Sequence, residues 1–494
     1  MTSTILDRLQ TFAALPPPRP EDLRPQIRAA IKARSGHKLV VLDDDPTGTQ
    51  TVYDVPVLTT WDVRTLRREF RLEGDCFFIL TNSRSQAPAE AGQRIREIAR
   101  NLAAAAPRDR YTVVSRSDST LRGHFPLETD VLAEELGPFD ATLLIPYFQA
   151  GGRFTIEDNH YVAEGDRLIP AGQTPFARDA AFGYHSSNLR QWVEEKTAGR
   201  VKAADVASFS LAELRRPPAN QGDMDGLCAK LRGLPRGAIA VVNACHPTDL
   251  LRFAAATLEA EQAGGRYLFR TAAEFVSARL GLETQPLWQP PARDPSSAGG
   301  LTVIGSYVPR TTEQLNHVLA AHRPTGPDWS VVVPIKLAVP DLLSARRDTL
   351  LQTTAARLDE VISAGQEAVV FTSRSLVAGT DPISSLDIGN RVSAALVELI
   401  RRLNVVPRYI VAKGGITSSD LATKGLDVNR AMVRGQILPG VPIWELGREA
   451  RFPRLPYIVF PGNVGGPTAL LDVLHRLIVG RISAHTMNST LSTL

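Results

Sequence analysis

The 494-residue sequence has little cysteine, little net charge and no long apolar run. Its three cysteines are far apart and lack CxxC or Cys/His spacing, which argues against a disulfide framework or structural zinc site and favours a reducing compartment. Lysine and arginine number 56 against 52 acidic residues, and no basic cluster marks a nucleic-acid or membrane surface. The apolar runs, such as FFIL and YIVF, are strand-sized, and the amino-terminal segment lacks the order of a signal peptide. We therefore expect a soluble cytoplasmic protein with no nucleic-acid or membrane partner.

Strand-sized apolar runs alternate with helical patterns along most of the chain. The first half contains KLVVLD, DCFFILT, YTVVS, ATLLIPY and AIAVVNA, with helices predicted over 87–106, 127–136 and 247–262. The second half contains LTVIGS, VVVPI, EAVVFTS, YIVAKGG and YIVFPGN, with helices predicted over 312–321, 350–364 and 387–403. Such alternation is typical of parallel α/β sheets. The sequence thus predicts two α/β domains with mainly parallel sheets.

The clearest domain boundary is Leu287–Gly300, LWQPPARDPSSAGG, which is rich in Pro, Ser and Gly and has no apolar period. Residues 1–37 combine a short amphipathic stretch, a PPPRP break and a second helical stretch, which indicates a leader that packs on the domain behind it. We predict a helical leader over 1–37, domains over 38–286 and 301–494, and a linker over 287–300. Closure of the two domains about this linker is expected.

The first candidate site is LVVLDDDPTGTQ, where an apolar strand ends in Asp43, Asp44 and Asp45 and continues through Thr47 and Gly48. Ligands of open parallel sheets bind outside the carboxyl ends of the strands, so these acids lie where a site is expected. Three adjacent carboxylates repel one another, which is easier to explain if a metal, a substrate hydroxyl or an arginine sits among them. The alternative is that Asp45 only opens a turn and caps the next helix.

A second strand, YTVVS, continues into Arg116, Asp118, Ser119, Arg122 and Gly123. An arginine fork is a natural partner of a small carboxylate or phosphate, and a glycine permits close backbone approach. The alternative is a helix cap with a salt-bridged arginine.

A third segment, PYFQAGGRFTIEDNHYVAEGD, adds Arg153 and His160. We interpret most of it as turn scaffold, and His160 as a buried histidine with satisfied hydrogen bonds.

The second half contains three turns in which glycines directly follow apolar strands. The turns contribute Gly305 and Ser306; Lys413, Gly414, Gly415 and Thr417; and Gly462, Asn463, Gly465 and Gly466. Glycines at such positions let backbone N–H groups approach phosphate oxygens. One such turn is weak evidence, but three in one domain indicate a nucleotide site. Lys413 could neutralise a phosphate or could be a solvated lysine at a strand end.

Several common motifs are absent from the sequence. It has no GxxxxGK[ST] loop, no GxGxxG after its first strands, no HExxH, no GxSxG and no protein-kinase signature. An enzyme of this sequence that uses ATP therefore has a less common nucleotide-binding fold.

The motifs together resemble the four-carbon acid sugar kinases. DDPTGTQ, SRSDSTLRG, PYFQAGGRFT, GSY, GGIT and PGNVGG occur in this order, and the resemblance runs from about Lys38 to about Gly480. It implies an amino-terminal domain that binds a sugar acid, a carboxyl-terminal domain that binds ATP, and phosphorylation of the terminal hydroxyl of threonate, erythronate or a 3-oxo-tetronate. The implied active site lies in a cleft between the domains, and ATP is expected with Mg²⁺.

The resemblance also implies roles for individual residues. It assigns Asp44, Asp45, Thr47, Gly48, Asp118, Ser119, Arg122 and Gly123 to the acid sugar site, and Ser306, the turn from Gly414 to Thr417 and the turn from Gly462 to Gly465 to the nucleotide. Arg122, helped by Arg116, would pair with the substrate carboxylate, and Asp44 is favoured over Asp45 and Asp118 as the general base. The chain departs from the family pattern at Pro46, Thr49, Arg116 and Ile416, the last of which replaces an acidic residue.

Two other functions remain open on the sequence. A dinucleotide-dependent oxidoreductase of a small hydroxy acid would also use glycine-rich turns, although here the first strand ends in acids where a pyrophosphate needs glycines. A non-catalytic sensor of sugar acids and ATP is the other alternative. A homodimer is the possible assembly of the protein.

Overall fold

The computed structural model describes residues 4–216, 223–291, 297–321, 332–374 and 382–479. Parts of all four predicted segments lie outside the described residues: 1–3 of the leader, 217–222 of the first domain, 292–296 of the linker, and several stretches of the second domain including its end from 480. The chain divides into two compact units, Met1–Thr284 and Gln285–Leu494. Each unit is described by itself.

The first unit is a mixture of strands and helices in alternation. Its strands are β1 (Leu6–Asp7), β2 (Lys38–Asp43), β3 (Val55–Leu58), β4 (Cys76–Leu80), β5 (Tyr111–Arg116), β6 (Ala141–Ile145), β7 (Arg153–Ile156), β8 (Asn159–Glu164), β9 (Arg167–Pro170), β10 (Ala207–Phe209), β11 (Ala238–Val242) and β12 (Tyr267–Thr271). Its helices are α1 (Arg8–Ala14), α2 (Arg24–Ala33), α3 (Val63–Arg71), α4 (Pro88–Ala105), α5 (Leu127–Leu136), α6 (Leu189–Lys196), α7 (Leu211–Leu214), α8 (Asp223–Arg232), α9 (Pro247–Gln262) and α10 (Ala273–Arg279).

The main sheet of the first unit is parallel, in the order β10–β11–β6–β12–β5–β2–β4–β3. Strand β2 lies between β4 and β5, where Asp43 is in register with Leu80 and Arg116. Since parallel strands all end at one edge, the residues that follow these three positions lie close together. Strands β1, β9, β8 and β7 form a separate antiparallel sheet.

Helices cover the main sheet, which buries every residue of β2, β4 and β5. Successive side chains of a strand point to opposite faces. On one face Val40 and Leu42 pack with Ile95 and Leu102 of α4 and with Leu132 of α5. Burial on both faces is the reason that these strands read as continuous apolar runs.

The second unit has the same kind of architecture. Its strands are β13 (Leu301–Ile304), β14 (Val332–Leu337), β15 (Glu367–Thr372), β16 (Ile410–Lys413), β17 (Arg430–Leu438), β18 (Val441–Leu446) and β19 (Pro456–Phe460). Its helices are α11 (Pro309–Ala321), α12 (Val339–Leu342), α13 (Arg347–Ser363), α14 (Pro382–Arg401), α15 (Gly415–Asp420) and α16 (Ala469–Val479). The strand order is β17–β18–β19–β16–β13–β15–β14, parallel from β19 to β14 and antiparallel across β17, β18 and β19.

The prediction of two α/β domains with mainly parallel sheets is confirmed. The predicted helix over 127–136 coincides with α5, and the one over 387–403 begins earlier, at Pro382 of α14. The antiparallel hairpins of β7 to β9 and of β17 and β18 were not predicted. In the described ranges, none of the helices is both long enough and apolar enough to cross a bilayer.

Candidate active site

The three adjacent acids lie at the carboxyl end of β2 with two arginines among them. Asp43 and Asp44 are 1% and 2% exposed. The Arg116 Nη1 donates to Asp43 Oδ1 at 3.1 Å and to Asp44 Oδ1 at 3.4 Å. Arg84 forms a two-pronged contact with Asp44, from Nε to Oδ2 at 3.0 Å and from Nη2 to Oδ1 at 2.5 Å. The expected repulsion between the acids is therefore offset by arginines of the same chain.

Arg84 was not predicted as a site residue. It follows β4 in a short turn, and it reaches Asp44 because β4 is the neighbour of β2 in the sheet. Its Nη1 also lies 3.6 Å from Asp45 Oδ2. Only the strand order reveals this placement, since the sequence shows no more than an arginine four residues beyond an apolar run.

The three carboxyl groups differ in proton affinity. Burial raises the pKa of Asp43 to about 7, against the attraction of Arg116. Burial also raises the pKa of Asp44, against the opposing pull of Arg84. Burial acts on Asp45 as well, but Arg84 and hydrogen bonds from Thr47 outweigh it and hold the pKa of Asp45 below its ordinary value. Asp43 and Asp44 are thus better proton acceptors than an ordinary aspartate, and Asp45 is not.

Asp45 and Gly48 have structural roles in this arrangement. The backbone N–H of Thr47 donates to Asp45 Oδ1 at 2.9 Å, which caps the 3₁₀ helix Pro46–Thr51. A Cβ on Gly48 would lie 2.1 Å from Asp43 Oδ1 and 2.2 Å from its Oδ2. The capping alternative therefore applies to Asp45, and Gly48 leaves the space that the Asp43 carboxylate occupies.

The second predicted motif meets the first at the same edge of the sheet. Arg122 Nε donates to Asp118 Oδ2 at 2.6 Å. Burial opposes ionisation of Asp118, but Arg122 and Arg84 outweigh it and hold the pKa of that carboxyl far below its ordinary value. Gly123 has φ +120°, and a Cβ there would lie 2.9 Å from Arg270 Nη2 and 3.1 Å from Asp44 Oδ2. Gly123 thus allows the loop after β5 to lie directly against Asp44.

A buried network supports this edge from behind, and the sequence reasoning did not find it. Arg270 of β12 pairs with Glu128 of α5 and donates to Ser115 Oγ at 3.0 Å. Glu128 Oε1 in turn accepts from Ser83 Oγ at 2.5 Å. Together these side chains hold the turn that contains Arg84 and the loop that contains Gly123 in place.

His160 has the structural role that the sequence indicated. Its Nε2 donates to the backbone carbonyl of Ser119 at 2.7 Å, and its Nδ1 accepts from Thr155 Oγ1 at 2.9 Å. Burial lowers the pKa of His160 to about 4, so the ring is neutral near pH 7. His160 therefore holds the loop that contains Ser119.

In the second unit the three predicted glycine turns meet at Ser306. They follow β13, β16 and β19, which are neighbours in the sheet. A Cβ would lie 2.3 Å from Thr417 Oγ1 if placed on Gly305, 2.9 Å from Ser306 Cβ if placed on Gly414, and 3.0 Å from Ser306 Oγ if placed on Gly462. Only residues without a side chain at these positions permit the turns to pack this closely.

Lys413 lies inside this arrangement and is fully buried. Its Nζ donates to the carbonyls of Pro461 at 2.6 Å and Gly462 at 3.5 Å, and it lies 3.6 Å from the centre of the Phe460 ring. Burial, together with the charge of Arg310, lowers the pKa of Lys413 to about 6. The alternative of a solvated lysine is wrong, because the side chain is buried and its Nζ supports the turn after β19.

The other predicted nucleotide residues lie around the same turns. Ile416 is 56% exposed and follows Gly415, the first residue of α15. Asn463 lines an open depression of about 600 Å³ together with Pro309, Arg310 and Glu313. Gly465 has φ +86°, and a Cβ there would lie 2.4 Å from that of Ala469, so this glycine serves the packing of α16.

Three side chains that were not predicted hold the turns in place. Thr311 Oγ1 donates to the carbonyl of Gly462 at 2.9 Å, and Gln314 Nε2 donates to the carbonyls of Val464 at 3.0 Å and Gly466 at 2.9 Å. Arg374, which follows β15, donates from Nη2 to the carbonyl of Ser306 at 2.6 Å. An arginine just beyond the strand EAVVFTS is the signal from which the sequence could have indicated its place.

The described ranges contain no cluster of three or more His, Cys, Asp or Glu side chains that could hold a metal ion. They therefore offer no preformed Mg²⁺ site. Proteins usually bind Mg²⁺ through one or two carboxylates together with substrate phosphates. The side chains of the described ranges thus do not by themselves define an ion position.

Two family models match the chain. Residues 39–279 match a sugar-binding N-terminal domain, and residues 301–470 match a nucleotide-binding C-terminal domain. The acid and arginine cluster lies within the first match, and the glycine turns lie within the second. A curated relative, the D-erythronate kinase of Heliobacterium modesticaldum, is 27% identical over 431 residues, which cover 83% of this chain and 89% of the relative.

Solved structures share the fold. A Haemophilus influenzae protein from a family of unknown function has a TM-score of 0.58 at 17% identity, over 89% of this chain and 100% of its own. A Salmonella typhimurium LT2 protein with a provisional tRNA synthase name has a TM-score of 0.63 at 17% identity, over 88% of this chain and 98% of its own. At these identities the likeness concerns the fold and not the activity.

Proposed function

Because the chain belongs to the four-carbon acid sugar kinase family, we propose that it transfers the γ-phosphate of ATP to the terminal C4 hydroxyl of a four-carbon acid sugar such as erythronate, threonate or a 3-oxo-tetronate. The observation that carries the proposal is the buried cluster of Asp43, Asp44, Arg84 and Arg116 at the carboxyl end of the sheet, in the unit that matches a sugar-binding domain. The erythronate kinase relative supports the acceptor class.

We assign the general base to Asp44. Its raised pKa makes it a better proton acceptor than an ordinary aspartate, and Arg84 fixes the orientation of its carboxylate. Asp118 is held as a carboxylate by Arg122, and Asp45 caps a turn. Asp44 would therefore take the proton of the C4 hydroxyl as that oxygen attacks the γ-phosphorus, while the neighbouring residues bind and orient the acceptor.

The nucleotide would bind at the glycine turns of the second unit. The glycines there have no side chain to keep phosphate oxygens from the backbone, the Ser306 hydroxyl lies where the turns meet, and Asn463 lines the adjoining depression. Phosphoryl transfer depends mainly on position and charge neutralisation, and Mg²⁺ would enter with the triphosphate. In-line transfer also requires the acceptor hydroxyl to meet the γ-phosphate with water kept away from it during turnover.

A coupled assay of ADP release over a panel of four-carbon acids tests the function. We expect saturable turnover with at least one tetronate and none with ATP alone, and the Asp44→Asn variant serves as the control for the assigned base. If no acid of the panel leads to ADP release, the kinase proposal is contradicted and a sensor is favoured. A nicotinamide fluorescence titration tests the oxidoreductase alternative, for which we expect no binding.

The cysteines bear on the cellular location of the protein. The three cysteines, Cys76, Cys228 and Cys245, are all buried and lie far apart in the sequence. So few cysteines without CxxC spacing suit a reducing compartment, and we therefore propose a cytoplasmic location. Fractionation of cells that express the chain tests this, and the mass of the protein in solution tests for a homodimer.

A further inference from the structure

Arg153, the first residue of β7, stands apart from the other arginines near the candidate acid sugar site. Arg84, Arg116, Arg122 and Arg270 each pair with a carboxylate. Within the part of the chain that the structure describes, the Arg153 guanidinium has no ion pair, and its buried Nε has no hydrogen-bond partner. A largely buried guanidinium without an ion pair is costly, so this position calls for an anion that binds there.

A second arginine lies against the same aromatic ring. The Cζ atoms of Arg122 and Arg153 are 5.1 Å and 5.4 Å from the centre of the Phe176 ring. Burial lowers the pKa of Arg153, and the charge of Arg122 lowers it further, whereas Asp118 acts in the opposite direction. Two cations around one ring repel each other, and an anion between them would turn that repulsion into attraction.

The backbone is shaped to admit the Arg153 side chain. A Cβ on Gly151 would lie 2.8 Å from Arg153 Nη1 and 2.6 Å from a ring carbon of Phe148. Gly152 has φ +73°, in the left-handed region that favours glycine. The two glycines of the segment PYFQAGGRFT thus let the chain turn tightly around this guanidinium, which is therefore a built feature and not a mobile surface group.

We propose that Arg153 and Arg122, stacked against Phe176, bind the carboxylate of the acceptor substrate, which is the acid sugar of the function proposed above. The Arg122 Nε already donates a hydrogen bond to Asp118. Arg153, which has no ion pair with a described residue, therefore supplies the positive charge that the substrate carboxylate would neutralise. Asp118 interacts electrostatically with Arg84 as well as with Arg122 and Arg153. The acid end of the substrate then lies at the two stacked arginines, and its hydroxyl end points toward Asp44.

The test is calorimetric titration of the intact protein, without nucleotide, with D-erythronate and with erythritol, its uncharged polyol counterpart. Hydrogen bonds to charged groups contribute about 1.5–3 kcal/mol, so Arg153→Met should weaken erythronate binding about ten- to hundredfold. Binding of erythritol should not change. Arg153→Lys should restore part of the affinity, because it keeps the charge and loses the planar fork. The matched control is Arg167→Met, which removes an exposed arginine of the same small sheet.

Thermal unfolding of the same variants separates binding from a structural role. Because Arg153 has no ion pair to lose within the described ranges, Arg153→Met should not lower the melting temperature without ligand, but it should abolish most of the rise that erythronate gives the wild type. A lowered melting temperature with unchanged erythronate affinity would overturn the proposal, as would an equal loss for acid and polyol. Selective loss of acid binding in a protein that releases no ADP would support this carboxylate site and contradict the kinase function.

Discussion

Gly48 offers a sharp test of how rigid the acid cluster is. A Cβ added there would lie 2.1 Å and 2.2 Å from the two carboxylate oxygens of Asp43 and 2.4 Å from its Cγ. Asp43 cannot easily move away, since it is 1% exposed and Arg116 donates to it at 3.1 Å. Overpacking of this kind costs about 1–3 kcal/mol, and breaking a buried ion pair costs about 3–5 kcal/mol. We therefore expect Gly48→Ala to lower the unfolding free energy of the first unit by about 3–5 kcal/mol.

The matched control is the same substitution at Gly226, which lies in α8, where an added Cβ would meet no atom within 4 Å beyond the backbone of its own helix and its chain neighbours. There the change should raise stability by about 0.5–1 kcal/mol, because alanine is the better helix residue. Urea unfolding followed by near-UV circular dichroism would compare both variants with the wild type. If Gly48→Ala unfolds at the same urea concentration as the wild type, the Asp43 carboxylate is free to move and the cluster is not rigid as argued.

The remaining predictions concern the acids and the glycine turns. Asp44→Asn should reduce turnover about 10²–10⁴-fold, whereas Asp45→Asn, which keeps a good capping residue, should reduce it far less; steady-state kinetics compares them. Because the pKa of Asp43 is about 7 in the folded protein and 3.8 ordinarily, its contribution to stability should fall as the pH rises from about 4 to about 7. Asp43→Asn should remove that fall from urea unfolding curves taken across this range, and an unchanged slope would contradict the assignment. Gly305→Ala would force a Cβ to 2.3 Å from Thr417 Oγ1, so we expect at least a tenfold rise in KM for ATP and unchanged calorimetric binding of erythronate.

The sequence predicts much of the fold because the central strands are buried on both faces. Strands β2 and β4 have no exposed residue, so they appear as continuous apolar runs between helical patterns. Strand β17 is different, since its nine residues mix buried, half-buried and exposed positions and shift register against β18. Such a hairpin has no simple period, which explains why it escaped prediction.

The candidate site was predicted only where its residues directly follow such strands. Asp43 to Asp45 and the motif from Arg116 to Gly123 stand out in the sequence for this reason. Arg84, Glu128 and Arg270 do not, because their places at the site follow from strand order and helix packing and not from neighbouring letters. The sequence also cannot show which arginine among several has no ion pair in the described part of the chain, which is what distinguishes Arg153 among the arginines near the candidate site.

The most direct test of the central claim is the position of the phosphate in the reaction product. The intact protein would be incubated with ATP, Mg²⁺ and each four-carbon acid, and the products examined by phosphorus and carbon NMR. We predict a phosphomonoester whose phosphorus couples to C4 of the acid, formed together with one ADP for each product. A phosphate group on another carbon would contradict the account. Hydrolysis of ATP to ADP and inorganic phosphate, with no phosphorylated acid, would contradict it as well.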